Sequence, residues 1–300
     1  SFPYNEESIT FTIAPIVNAA GRLYNAGSTS VLKAITSTKL EDSCKFTGKM
    51  KEINETRKKL VTDWTSKASG IASHQGQKNI LVIYCPEMPE GIAGIVAGKL
   101  TDILKKPAFV FADAKHQKDI VKGSGRAYGA YDLFGVVEYV RPYTTDAGGH
   151  TGATGISSKK SDFSLLCNAI DEYGNSHPVE PTEDVLYYDI EMSEKDVPLA
   201  SDQLKTFAPY GEGIPKPVFL IKNFHCVSSK GLHYMIMGKD KSHLKLFGTY
   251  CNAVGFSLAE QFTDYHTPKY VDLICTIGEN TFNGRTTPQL QIIDFCPSLA

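Results

Sequence analysis

The texture of the chain changes at "GNSHPVEPTED", residues 174–184, a stretch of turn formers carrying two prolines that reads as a linker. Ahead of it, apolar runs of strand length alternate with helical patterns. "NILVIYC" (79–85) reads as a buried strand, "EGIAGIVAGKLTDIL" (90–104) as a helix, and "AFVFA" (108–112) as a second strand. "DIVKGSGRAY" reads as a strand running into a glycine turn, "YDLFGVVEYV" as a helix, and "DFSLLCNAIDEY" as a last helix. Strands alternating with helices call for an α/β domain, placed at residues 76–176. Beyond the linker, short alternating runs such as "PVFLIKNFHCV", "HLKLFGTY" and "YVDLICTIGEN" are broken by Gly, Asn and Pro. That pattern predicts a small antiparallel β-barrel or sandwich over 183–300.

Residues 38–75 read differently from both. A capping-box pair, Thr38 and Glu41, opens a polar helix with one apolar stripe of Met50, Ile53, Leu60, Val61, Trp64, Ala68 and Ile71. Such a helix is a connector that leans on a neighbour along one side.

Composition narrows the function classes. The net charge is −2, so the chain has no global basic footprint and any nucleic-acid contact must be local. The seven cysteines are scattered and never spaced as C-x-x-C, which predicts reduced, buried, cytoplasmic thiols and argues against structural zinc. The apolar run 11–17 is too short to cross a membrane. Residues 1–300 contain no P-loop, G-x-S-x-G, H-E-x-x-H or Asp/His cluster at ligand spacing, so no metal site is expected in this chain.

Three segments are suited to holding an anion. "KGSGRAYG" (122–129) has the wrong spacing for a dinucleotide fingerprint. As a flexible turn it would bring backbone N–H groups, the Ser124 hydroxyl and the Arg126 guanidinium to one point, or it is an ordinary β-turn with a surface arginine. "DAGGHTGATGI" (146–156) packs four glycines around His150; Gly148 and Gly149 allow close backbone approach, with a tight turn and a hydrogen-bonded histidine as the plainer reading. "APIVNAAGRL" (14–23) sets Arg22 after a small-residue turn carrying Asn18, and a helix start with a surface arginine explains it equally well. In the barrel region, residues 216–245 hold six lysines against one acid, Asp240, interleaved with aromatics. Lys222, Lys239, Lys241, His243 and Lys245 would form a single-strand track, the alternative being a solvated sheet face.

Taken in order, "IAPIVNAAGRL", "EGIAGIVAGKL", "KGSGRAY", "GGHTGATGI", "FAPYGEGIPKPVF", "HLKLFG", "NAVGF" and "PQLQIIDF" resemble the RecJ family of single-strand-specific 5′-to-3′ exonucleases in the DHH phosphoesterase superfamily. The resemblance implies a DHHA1 α/β domain, a preceding long helix and an oligonucleotide-binding (OB-like) barrel, with 1–37 as the tail of a catalytic DHH domain otherwise missing from the chain. It implies that Arg22, Asn18, Ser124 and Arg126 hold a 5′-terminal phosphate of single-stranded DNA, and that Gly148, Gly149 and His150 meet the scissile phosphate. Manganese or magnesium would be bound by the missing domain and would activate the attacking water. The chain would then be the substrate-binding fragment of a monomeric cytoplasmic nuclease, inactive alone. Two other readings stay open: a non-catalytic single-strand-binding scaffold of the same family, or a small-nucleotide or oligoribonucleotide phosphoesterase of the superfamily. Thr154, where the resemblance expects alanine, is one departure.

Overall fold

The structure is a computed structural model that describes residues 4–24, 27–180, 185–229, 231–238 and 240–298. The chain divides into two compact units, Ser1–Thr182 and Glu183–Ala300.

Unit 1 opens with helical segments: α1 (Glu6–Ser8), a π-helical stretch Ile9–Ile13, α2 (Ala14–Leu23), α3 (Gly27–Thr36) and the long α4 (Leu40–Ser73). Both α2 and α3 pack on α4. The capping box at Thr38 is not made: Lys39 occupies the N-cap position, one residue later, and no side chain caps the helix. The start of α4 is supported instead by Glu41 and Asp42 in its first turn, which oppose the positive end of the helix dipole. Its buried stripe runs through Met50, Ile53, Asn54, Val61, Thr65, Ala68 and Ala72, at three- and four-residue steps. Ile71, expected on that stripe, is 39% exposed, and Ala72 takes its place.

The sheet of unit 1 has the order β1-β2-β3-β5-β4. Its strands are β1 (Leu81–Tyr84), β2 (Ala108–Asp113), β3 (Ile120–Arg126), β4 (Asp146–His150) and β5 (Ala153–Lys159). β1 and β2 are parallel, joined through α5 (Ala93–Leu104), and the remaining pairs are antiparallel. Because β2 is central, both its faces are buried. Ala108, Val110 and Ala112 join the core under α4 and α5, and Phe109 and Phe111 join the core under α6 (Leu133–Val140) and α7 (Phe163–Ser176). Each ring contributes roughly 1.5–3 kcal/mol by burial.

Those rings overturn the expected glycine turn at 122–126, which is strand throughout. A methyl group on Gly123 would stand 2.3 Å from the Phe111 ring, and one on Gly125 would stand 2.5 Å from Phe109. The glycines are there to admit aromatic neighbours, and because the strand pairs on both sides its amides form no nest for an anion. The segment 146–156 is likewise a hairpin, with Thr151 and Gly152 at the tip and β4 as the sheet edge. Gly149 has φ +143°, and a side chain there would strike the Ala153 carbonyl oxygen at 2.3 Å.

Unit 2 is built on a seven-stranded sheet in the order β6-β7-β11-β12-β10-β9-β8. These are β6 (Ile190–Met192), β7 (Phe219–His225), β8 (Tyr234–Met237), β9 (His243–Phe247), β10 (Asn252–Gly255), β11 (Tyr270–Phe282) and β12 (Arg285–Pro297), with α8 (Val197–Leu204) and α9 (Ala259–Asp264). The expected antiparallel, OB-like barrel sheet is found with two departures. The β6–β7 and β10–β12 pairs are parallel, and β6 and β8 remain as edges. The sheet still curls around one core: Phe224 of β7 and Leu246 of β9 belong to the same apolar cluster, and the Val227 N–H donates to the Phe247 carbonyl at 2.8 Å.

Four cysteines, Cys85, Cys226, Cys251 and Cys275, are buried as expected, and burial pushes the last three thiols up to about 12. Cys44 and Cys296 are exposed, against the expectation. Among the described residues, no helix is long and apolar enough to cross a membrane.

Candidate functional site

Cross-strand register lines up three rows on one face of the unit 1 sheet: Lys122–Ser157–Asp146, Ser124–Gly155–Gly148 and Arg126–Ala153–His150. Directly opposed residues on antiparallel strands share a face. Two strand spacings put the Cα atoms of Arg126 and His150 roughly 10 Å apart. A methyl group built on Gly148 or Gly155 meets nothing within 4 Å, so neither glycine is demanded by packing. They floor an open cleft of about 560 Å³, walled by Lys122, Ser124, Asp146 and, across from the sheet, Glu90, Gly91 and Ala93.

Helix α5 comes down on this face through its own small residues. A methyl group on Gly94 would lie 2.8 Å from Nη2 of Arg126 and 3.4 Å from Oγ of Ser124, so glycine here lets the helix sit directly over both side chains. Nη1 of Arg126 donates to its own neighbour, the Gly125 carbonyl, at 2.7 Å. Arg22 reaches the same helix end from α2: its Nη1 donates to the Gly91 carbonyl at 3.2 Å. Arg22 also borders an adjoining hollow of about 440 Å³ that shares Glu90 and Gly91 with the cleft. Burial first, and then the like charge of Arg22, hold the Arg126 guanidinium below its ordinary value. Asn18 lies four residues before Arg22 on α2, on the same side of the helix, and is exposed. Arg22, Ser124 and Arg126 thus converge on the first turn of α5, where helix amides and dipole also favour an anion.

His150 ends the third row, on the edge strand. Its Nδ1 accepts a hydrogen bond from the Gly152 N–H at 3.2 Å. In a neutral ring that leaves the proton on Nε2, free to donate. As β4 is an edge, alternate backbone groups along Gly148–His150 have no strand to pair with. A smaller cavity of about 260 Å³, lined by Tyr131, Tyr173 and His177, contains Asp132 and Glu180 but neither Lys nor Arg and is unsuited to phosphate.

Sequence reasoning missed Lys122, Gly155 and Gly94. Reading "KGSGR" with a period of two would have put Lys122, Ser124 and Arg126 on one face. The buried Thr154, which replaces the expected alanine, has an Oγ1 with no hydrogen-bond partner, next to Gly125.

In unit 2 the basic residues are more dispersed. Lys222 on β7 pairs with Glu191 at 3.2 Å and is separated from β9 by β11, β12 and β10 in the sheet order. Lys241 sits in a turn at φ 56°. His243 and Lys245 share one face of β9; His243 Nδ1 accepts from the Ser257 N–H at 3.2 Å, its ring meets Phe256 edge-on, and Lys245 Nζ lies 5.6 Å from the Phe247 ring centre. Lys239 lies outside the described residues.

Comparison with known proteins agrees with both units. A family model described as the DHHA1 domain matches residues 77–175, and one described as the RecJ OB domain matches 188–294. The single-stranded-DNA-specific exonuclease RecJ of Bacillus subtilis is 27% identical over 301 residues, covering 97% of this chain and 37% of the relative. The Thermus thermophilus protein of the same name is 24% identical over 288 residues, 95% of this chain and 40% of its own length. The crystal structure of RecJ in complex with Mn2+ from Thermus thermophilus matches 99% of this chain and 42% of that one, with a TM-score of 0.78 at 22% identity. The chain therefore spans about 37% to 40% of the length of these relatives.

Proposed function

We propose that this chain, whose units match the DHHA1 and RecJ OB family models, is the substrate-binding part of a RecJ-family single-strand-specific 5′-to-3′ DNA exonuclease. The observation that carries the reading is the convergence of Arg22, Ser124 and Arg126 at the start of α5, with Ser124 and Arg126 in the same cross-strand rows as Gly148 and His150. In this reading Arg22, Ser124 and Arg126 grip the 5′-terminal phosphate, with Asn18 at the rim. Planar guanidinium forks match phosphate oxygens in pairs, and a hydroxyl end would leave them without a partner. The strand then crosses the glycine floor, where a side chain would block the sugar-phosphate backbone. Gly148, Gly149 and His150 meet a phosphate farther along the strand, two strand spacings away across β5. His150 donates from Nε2 to a phosphate oxygen and stabilises charge that grows there during cleavage. In unit 2, taken by itself, Lys241, His243 and Lys245 contact a strand backbone, and phosphate contact of this kind carries no base preference.

The residues present do not fit a metal. Among the described residues, no group of three or more His, Cys, Asp or Glu could hold one. In this reading a manganese or magnesium ion would be held by residues other than those named here, and the work of this chain is to bind, orient and donate. A cytoplasmic, monomeric protein completes the reading.

The test is fluorescence anisotropy of this chain with one single-stranded oligomer, ending in 5′-phosphate or 5′-hydroxyl, over a salt series. Tighter binding of the phosphorylated end, retained at higher salt, supports the reading. Equal affinity for the two ends at every salt concentration sinks it.

A further inference from the structure

Beyond the end of β3 lies the cavity of about 260 Å³ that the phosphate-friendly cleft does not use; the two share no lining residue. It is walled by Tyr128, Tyr131, Asp132, Tyr173, His177 and Glu180. One wall is the loop 127–133, bonded at both ends to the tip of the β4–β5 hairpin. The Ala127 N–H donates to the Gly152 carbonyl and the Leu133 N–H to the Thr151 carbonyl, each at 3.0 Å. The other wall is the C-terminal end of α7, where the rings of Tyr173 and His177 stack with centres 4.1 Å apart and planes 11° from parallel. The Tyr131 hydroxyl ties the walls together by donating to the His177 carbonyl at 2.8 Å. The rings are thus set in place before anything binds.

The charge of the cavity is one-sided. One oxygen of Asp132 accepts the Phe134 N–H at 2.9 Å and caps α6, while the other faces the Tyr173 hydroxyl over Gly135, where an added methyl group would meet both. Among the described residues no ion pair neutralises Asp132 or Glu180, and neither Lys nor Arg lines the space. Burial first, and then Tyr173 and Asp132, push the Tyr131 hydroxyl up to about 12; burial followed by Asp132 raises Tyr173 as well. Ring faces add to the negative field. Tyr128 shows the effect at the rim, with the Lys105 ammonium 5.7 Å from its ring centre.

Those features select among ligands. A phosphate would be repelled, and a purely apolar group would strip water from two carboxylates without giving them a partner. A nucleobase would stack, but it would draw its own phosphate towards Asp132 and Glu180. A cation suits both the rings and the carboxylates, and a planar one suits them best, because a guanidinium stacks on aromatic faces and pairs with carboxylate oxygens as a fork. We propose that the cavity receives the guanidinium of an arginine side chain presented by a basic segment of a partner protein, with the rings as stacking walls and Asp132 and Glu180 as counter-charges. The site is separate from the cleft and does not depend on the end-binding reading. Unit 1 then holds an anion in its cleft and a cation beyond the end of β3.

The experiment is a magnetic-resonance titration of the 300-residue chain carrying isotope-labelled tyrosine. Its probes are a blocked glycine peptide with one arginine, the same peptide with citrulline, which is nearly the same shape without the charge, and deoxycytidine. The arginine peptide is expected to shift the Tyr131 and Tyr173 signals saturably and to bind about tenfold more tightly than the citrulline peptide, the combined size of two exposed ion pairs. Asp132→Asn and Glu180→Gln should each weaken the arginine peptide about threefold, and together they should remove its advantage over citrulline. Asparagine keeps the helix cap, so the melting temperature should not move. Should Asp132→Asn fail to fold, Glu180→Gln, which changes an exposed side chain, carries the test alone. Equal affinities for arginine and citrulline, or folded variants that keep the wild-type ratio, would overturn the proposal. Tighter binding of deoxycytidine than of the arginine peptide would overturn it in favour of a nucleobase, and shifts confined to tyrosines outside the cavity would place the peptide elsewhere. None of these outcomes bears on the preference for a 5′ end, so the two readings fail separately.

Discussion

Unit 1 and unit 2 each carry a basic surface, and the two differ in what holds the charges. In unit 1 the cations come from distant parts of the chain, Arg22 from a helix and Arg126 from a strand 104 residues later, and meet at one helix end, where among the described residues no ion pair joins either to a carboxylate. In unit 2 the cations are close in sequence, yet Lys222 is paired with Glu191 and lies several strands from Lys245. Proximity along the chain therefore says little about a charged site; strand register and the absence of a local counter-ion say more. On the proposed reading, the first surface recognises one group and the second follows a backbone.

The largest expected effect tests whether the sheet face of unit 1 is concerned with reaction as well as binding. In the full-length protein, His150→Ala is expected to slow cleavage of single-stranded DNA about 10²- to 10³-fold, the usual consequence of losing one donor to a developing charge. Affinity for the uncleaved strand should barely move, as His150 is exposed and its hydrogen bond is with the Gly152 amide. Single-turnover rates beside equilibrium binding give the answer, and equal losses in the two would mean that His150 only binds.

Next in size is the contrast between a free and a paired cation. Arg126→Ala should cut the preference for a 5′-phosphate about ten- to hundredfold, since a charge-assisted contact to phosphate is lost and no neighbouring side chain replaces it. Lys222→Ala, which removes a charge already opposed by Glu191, should leave the preference at the wild-type value. A similar drop in both would erase the distinction drawn between the surfaces.

The glycines separate folding from function within unit 1 itself. Gly125→Ala forces a methyl group against Phe109, and overpacking of this kind costs about 1–3 kcal/mol, visible as a lower melting temperature. Gly155→Ala, on the opposite face of the neighbouring strand, meets nothing within 4 Å and should change stability by no more than about 0.5 kcal/mol. Its methyl group enters the cleft, so binding should weaken although folding does not. A stable Gly125→Ala, or a Gly155→Ala that melts early, would reverse the assignment.

Those same glycines show where reading the sequence works. The strands β1 and β2 and helix α5 are legible because buried strands and close-packed helices write themselves as apolar runs and small residues. The motif "KGSGR" reads as a turn because glycine signals both a break and a nearby bulky group, and only the structure reveals Phe109 and Phe111 behind it. Ser124, Arg126, Gly148 and His150 can be named singly, but their rows depend on pairing between β3, β5 and β4, a register that no single segment encodes. In unit 2 the parallel pairing of β10 with β12 joins segments more than thirty residues apart, so local alternation alone favours an antiparallel barrel.

The smallest effect sharpens the comparison from the side of unit 2. A lysine that touches phosphate releases a counter-ion, and removing it lowers the slope of log affinity against log salt by about 1. Lys245 lies half-buried on β9, with its ammonium 5.6 Å from the Phe247 ring centre and not paired with a carboxylate among the described residues. Lys245→Ala should therefore flatten the salt dependence by about one unit for 5′-phosphate and 5′-hydroxyl strands alike. Lys222→Ala should leave the slope in place, because its ammonium already has Glu191 as counter-ion. The end preference and the salt slope would then be separable: Arg126 governs the first, Lys245 the second. A Lys245→Ala chain with an altered end preference would instead tie unit 2 to recognition of the terminal phosphate.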